Sequence, residues 1–238
     1  GIVDYMLELL GVVDSARPLT NSVAMRTGRS TDSDIAIIGL GCRFPGNVND
    51  LKSMWDMLSG GVDMTGEVSL SRWDTDAIMA FSSLPDPSIL NRARYGGFLS
   101  DNVLESFDAS LFGISDAEAS RMDPSQRLLL EVSYEALLDA GYTMESLRGL
   151  RAGVFVGMTG TSDDSSKGHD YRFSPSANAV SVFDVTGATL SVAAGRISYV
   201  FGLNGPCATI DTACSSSVVA LHYARRSLQH GECDIAVV

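Results

Sequence analysis

Residues 205–221, Gly-Pro-Cys-Ala-Thr-Ile-Asp-Thr-Ala-Cys-Ser-Ser-Ser-Val-Val-Ala-Leu, change character halfway along. The first half is short, apolar and β-branched, which reads as a buried strand. The second half opens with small hydroxyl residues and becomes a helix-forming run. Cys214 falls at the join. Strand-to-helix turns of this kind are common in α/β folds. The turn places Cys214 beside the unpaired N–H groups and partial positive charge of a helix N-terminus, a setting that suits a nucleophilic thiolate. The small neighbours Ala213, Ser215 and Ser216 let a substrate carbonyl approach the backbone, where the Cys214 N–H can help to hold a developing oxyanion. From the residues alone two readings stay open, a nucleophile and a buried structural cysteine.

The stretch Asp211-Thr212-Ala213-Cys214-Ser215-Ser216-Ser217 resembles the active-site signature of the β-ketoacyl synthase (ketosynthase) domains of polyketide synthases and related fatty acid synthases. Three further blocks follow the family's order: residues 35–46 (Ile-Ala-Ile-Ile-Gly-Leu-Gly-Cys-Arg-Phe-Pro-Gly), 123–132 (Asp-Pro-Ser-Gln-Arg-Leu-Leu-Leu-Glu-Val) and 195–203 (Gly-Arg-Ile-Ser-Tyr-Val-Phe-Gly-Leu). The similarity runs from about residue 34 to 238, and the second block favours the polyketide-type subfamily.

Other classes are disfavoured by composition. The net charge of −12 argues against non-specific nucleic-acid binding, which depends on lysine and arginine neutralising phosphates. Residues 101–145 hold ten Asp or Glu against two Arg, which reads as a solvated face. The cysteines at 42, 207, 214 and 233 form no C-x-x-C pair, and the histidines at 169, 222 and 230 show no zinc spacing, so no metal site or disulfide framework is expected. No apolar run reaches the ~18 residues that a membrane-spanning helix needs, and the first residues lack the basic start and apolar core of a signal peptide. The expectation is a cytoplasmic protein with no membrane span. Gly39-Leu40-Gly41 invites a dinucleotide-binding reading, but Phe44 stands where the third glycine of G-x-G-x-x-G belongs.

Along the chain, residues 1–10 carry apolar positions at helical spacing, and 14–33 are polar and breaker-rich. Residues 1–33 are therefore read as an N-terminal helix and linker: the tail of an upstream domain, a docking segment or an appended remnant. By the resemblance, residues 34–238 are expected to form the ketosynthase N-terminal half. The run at 35–41 predicts a buried strand. Asn49 or Asp50 is expected to cap a short helix ended by Gly60-Gly61, with Trp55 in the core. Asp123, Pro124 and Gln126 predict a capping-box helix start, with Leu129, Val132, Ala136, Leu137 and Ala140 on the packed face and Gly141 as the stop. A second buried strand is expected at 153–157 and a polar loop with His169 at 159–171. One small-residue-rich helix at 182–199 contains Arg196, which should find a carboxylate or carbonyl partner. The helix after Cys214 should reach His230, with a new strand from Cys233.

The resemblance implies a thiolase-like α/β fold, layered α-β-α-β-α, of which this sequence matches the first half, truncated shortly after the nucleophile. In the family, Cys214 would take an acyl chain from a carrier-bound thioester. Two histidines and a lysine from the second half would then support decarboxylative condensation with a malonyl or methylmalonyl carrier protein. No residue here matches those motifs, so the chain alone is expected to be an incomplete catalyst. No bound cofactor is implied, because the phosphopantetheine arm arrives on the acyl carrier protein, and a homodimer is implied for the complete domain. Two alternatives share part of this reading. One is a fatty acid synthase or thiolase relative, and the other a non-catalytic docking or dimerisation protein of the same fold.

Overall fold

The computed structural model describes residues 34–77, 88, 94–159 and 181–238. The helix and linker expected at 1–33, and most of the polar loop expected at 159–171 with His169, lie outside the described residues. The chain divides into two compact units, one of residues 34–39 with 109–238 and the other of Leu40–Asp108.

In the smaller unit, helix α1 (Leu51–Gly60) starts on a reciprocal cap. Asp50 accepts the Ser53 N–H at 2.8 Å, and the Ser53 hydroxyl accepts the Asp50 N–H at 3.3 Å. Gly61 ends the helix in the left-handed conformation, at φ 59°. Trp55 is not core: it is 53% exposed, and no described helix or strand packs extensively on the face it shares with Leu58. The apolar spacing was real, but burial requires a partner surface. Strands β1 (Gly66–Glu67) and β2 (Tyr95–Gly96) pair antiparallel, and α2 (Asp101–Glu105) follows. Trp73 meets Phe98 edge-on at 5.6 Å, with the Arg72 guanidinium 5.2 Å from the Phe98 ring.

The run at 35–41 is also corrected. It joins no ladder among the described residues, and Ile37 and Ile38 are 45% and 53% exposed. A strand is defined by hydrogen bonds to a neighbour, and side-chain preference cannot supply one.

In the larger unit, α3 (Asp116–Ala119) precedes α4 (Pro124–Asp139), which begins as expected with Asp123 capping the Ser125 N–H at 2.8 Å and proline in the first turn. That cap contributes about 1 kcal/mol. Gln126, however, does not reach back to the cap. It is 2% exposed and donates to the carbonyls of Thr186 and Thr189, each at 3.2 Å. The most buried residues of α4 are Gln126, Leu130, Ser133 and Leu137, of which only Leu137 belongs to the expected face, while Ala136 and Ala140 of that face lie against Gly39. After α5 (Met144–Leu147) comes β3 (Ala152–Gly157), the strand expected at 153–157 and almost wholly buried.

The region 182–199 is two helices, α6 (Val182–Ala188) and α7 (Leu190–Phe201), broken at Thr189. The break is held by one side chain from outside the segment and one from within it. Gln126 binds both carbonyls there, and the Arg196 Nη2 lies 3.4 Å from the Thr186 carbonyl. Arg196, 8% exposed, also donates to Gln126 Oε1 at 2.9 Å and pairs with Glu118, so its expected carboxylate and carbonyl partners are both present.

Strand β4 (Cys207–Ile210), α8 (Ser216–His230) and β5 (Ile235–Val237) complete the unit. The sheet order is β4-β3-β5, all parallel, with Val154 opposite Cys207 on one side and Val237 on the other. Ala220 and Ala224 of α8 pack on Phe155, Ala208, Ile210 and Ala236, and burying a side chain such as Phe155 contributes roughly 1.5–3 kcal/mol. Thr209 points to the opposite face by strand alternation, and its Oγ1 accepts the Ala194 N–H of α7 at 3.2 Å. The two crossover connections therefore cover opposite faces, as right-handed connections require when the chain steps first to one side of β3 and then to the other. The result is an α-β-α sandwich. Among the described residues no helix is long and apolar enough to cross a membrane.

Candidate active site

In open parallel sheets, ligands bind beyond the carboxyl ends of the strands. At those ends stand Thr159, two residues past β3, and the turn 211–215 past β4. Cys214 lies in this turn and is exposed, so the buried structural reading does not hold for it. Ser215 is the N-cap residue of α8 and Ser216 the first helical residue, which sets Cys214 directly before the helix start.

The turn is fastened by side chains. Asp211 Oδ1 accepts the Ala213 N–H at 3.0 Å and the Thr159 hydroxyl at 3.1 Å. The buried Ser216 hydroxyl accepts the Thr212 N–H at 2.8 Å and donates to the Ala213 carbonyl at 2.6 Å. Ser215 Oγ lies 2.8 Å from the Thr212 carbonyl. Ala213 between them has φ 55°, the left-handed region that residues with a β-carbon seldom occupy.

Gly157 fixes where α8 begins. A β-carbon there would stand 2.5 Å from the Ser217 nitrogen and 2.6 Å from the Ser216 carbonyl carbon. Only glycine lets β3 approach the first turn of α8 this closely. Beside Thr212 opens a hollow of about 350 Å³, lined by Phe155, Ala208, Ile210, Val219 and Tyr223, a mostly apolar surface next to the thiol's turn.

The remaining thiols differ in setting. Cys42 and Cys233 are buried, and Cys207 is exposed on β4. Burial pushes the Cys233 thiol up from its ordinary value, and partial desolvation by neighbouring atoms does the same to Cys207 although its surface is exposed. His222 and His230 are exposed on α8, and His222 stacks edge-on with Tyr223 at 6.0 Å. Among the described residues no three His, Cys, Asp or Glu side chains gather as a metal site would require. Of the basic residues, Arg148, Arg225 and Arg226 are exposed, whereas Arg151 is engaged with Asp234 at 3.2 Å and the Gly231 carbonyl at 2.9 Å. Gly157 closes an apolar run and so left a faint trace in the sequence. Thr159 left none, since a threonine in a polar loop is unremarked.

Comparison with known proteins places this geometry. Residues 32–238 match the family described as Beta-ketoacyl synthase, N-terminal domain. The chain is 43% identical over 204 residues to a phenolphthiocerol synthesis polyketide synthase of Mycobacterium bovis, covering 85% of this chain and 9% of that protein. It is 42% identical over 231 residues to polyketide synthase GfsB of Streptomyces halstedii, covering 97% of this chain and 4% of that protein. Among solved structures, the ketosynthase from module 6 of the bacillaene synthase of Bacillus subtilis superposes with a TM-score of 0.65 at 33% identity, over 84% of this chain and 30% of that one. An oxazolomycin ketosynthase domain from Streptomyces albus superposes with a TM-score of 0.66, also at 33% identity, over 84% of this chain and 32% of that one. The chain thus spans under a tenth of the curated synthases and about a third of the solved ketosynthases. The α-β-α sandwich with a cysteine on the β4–α8 turn therefore belongs to the β-ketoacyl synthase family and has the thiolase-like fold of its polyketide synthase members.

Proposed function

We propose that Cys214 is the acyl-accepting nucleophile of a polyketide synthase ketosynthase. The observation that carries this reading is an exposed thiol on a fastened turn at the carboxyl end of β4, directly before α8. Cys214 Sγ attacks the carbonyl of a carrier-bound acyl thioester, and the tetrahedral intermediate expels the phosphopantetheine thiolate, which takes up a proton. A malonyl or methylmalonyl thioester then loses carbon dioxide, and its enolate attacks the acyl carbon. That step releases Cys214 as thiolate and leaves a β-ketoacyl carrier protein. The family's two histidines and lysine, which would support the enolate, match no residue of this chain. The hollow beside Thr212 offers apolar surface for an acyl chain.

The partners in this reading are an acyl carrier protein, with the phosphopantetheine arm delivered on it, and a second copy of the chain. β4 is an edge strand among the described residues, with Cys207 exposed, which supports pairing of the 207–211 stretch across a two-fold axis. Carrier proteins are acidic, so docking favours Arg148, Arg225 and Arg226 over the acidic stretch 101–145, and the working location is the cytoplasm. The test is incubation with an acyl thioester mimic followed by peptide mass mapping. Acylation at Cys214, lost in Cys214→Ala, is expected; acylation at Cys207 instead, or persistence in Cys214→Ala, overturns the assignment.

A further inference from the structure

Ala213 and Asn47 are the non-glycine residues with positive φ among the described residues, and Ala213 immediately precedes Cys214. The direction in which the Cys214 side chain leaves the backbone depends on that conformation. An alanine does not keep a left-handed φ unaided, because its β-carbon crowds the carbonyl oxygen. Both polar groups of Ala213 are held by side chains. Asp211, on the strand side, accepts its N–H at 3.0 Å. The Ser216 hydroxyl, on the helix side, donates to the Ala213 carbonyl at 2.6 Å, beside the Ser216 backbone N–H at 3.1 Å, while accepting the preceding N–H of Thr212 at 2.8 Å. Ser216 is 4% exposed, so water competes little for these bonds. Asp211 is tied in turn to Thr159 beyond β3.

We propose that Ser216 and Asp211 are positioning residues that hold Ala213 left-handed and so aim the Cys214 thiol; the proposal rests on the reading of Cys214 as the nucleophile. Neither residue is required to touch substrate. The clamp joins strand, turn and helix, so the thiol's direction is set by three elements at once.

The test is the rate of Cys214 alkylation by limiting iodoacetamide, mapped by peptide mass spectrometry on the monomeric chain, in which Cys207 is exposed and serves as internal reference. In the unaltered protein Cys214 is modified first. Ser216→Ala and Asp211→Ala each slow Cys214 about tenfold, the change that one net hydrogen bond supports, and leave Cys207 unchanged. Asp211→Asn, which keeps an oxygen acceptor, stays near the original rate. Adding Ala213→Gly to Ser216→Ala restores the rate to within about threefold, because glycine takes a positive φ without help. A serine that merely filled space would not be rescued in this way. Unchanged rates in both alanine variants, or failure of Ala213→Gly to rescue, overturn the proposal. Should Ser216→Ala not fold, the Asp211→Ala and Asp211→Asn pair at an exposed position decides alone. Equal modification of Cys214 and Cys207 in the unaltered protein would instead remove the nucleophile reading, and the proposal with it.

Discussion

Replacing Gly157 by alanine drives a methyl group into the backbone of α8. The new carbon would stand 2.5 Å from the Ser217 nitrogen and 2.6 Å from the Ser217 α-carbon, and ordinary contact begins near 3.4 Å. The first turn of α8 must therefore retreat by about 0.9 Å, because backbone atoms have no rotamer to escape into. Overpacking of this kind costs about 2 kcal/mol, which for a chain of this length lowers Tm by roughly 6 °C. The functional cost is larger, since a displacement of about 1 Å at a reacting group costs on the order of a hundredfold in rate. Gly153 on the same strand supplies the control. Its added carbon would meet the Phe155 ring at 2.8 Å and the Cys233 sulfur at 3.1 Å, both of them side-chain atoms that can shift. Gly153→Ala should lower Tm comparably and leave Cys214 acylation nearly intact. Thermal melts and single-turnover acylation of both variants make the comparison. If Gly157→Ala acylates at the original rate, the close approach of β3 does not set the position of the thiol, and the reasoning fails.

Arg196→Met leaves Glu118 and Gln126 without their buried partner and should destabilise by about 3 kcal/mol, whereas Arg151→Ala, at a pair more than half exposed, should cost under about 1 kcal/mol; chemical denaturation compares them. Asp184 is held below the usual carboxylate range, first by the Ser181 N–H and then by Arg121. A lowered folded value means its stabilisation is present above the unfolded value near 3.8 and is lost as pH falls through the lowered one, so Asp184→Asn should flatten the acid limb of the unfolding curve. Partial desolvation raises the Cys207 thiol, so the midpoint of its alkylation rate against pH should lie above 9.0, the ordinary thiol value; a midpoint at or below that pH would contradict the assignment.

The elements legible in the sequence were those whose cause lies within a few residues. Asp123 and Pro124 announce α4, Gly61 and Gly231 stop α1 and α8, and the change from β-branched to hydroxyl residues announces the turn that carries Cys214. Each is a local hydrogen bond or a local φ preference, encoded where it acts. The same locality explains why the family signature could be read directly.

What tertiary structure decided was burial and close approach. Gln126 looked like part of a cap and instead binds the break between α6 and α7, because the groups it satisfies lie sixty residues away. Trp55 stays exposed, and the run at 35–41 joins no ladder among the described residues although Gly39 lies against Ala136 and Ala140 of α4; neither apolar spacing nor β propensity can create a hydrogen-bonded neighbour. At the site, sequence located the cysteine. The left-handed Ala213, the Ser216 and Asp211 clamp, Thr159 and the forced glycine at 157 became visible only once β3, β4 and α8 were brought together, because the contact between β3 and that turn joins residues more than fifty positions apart.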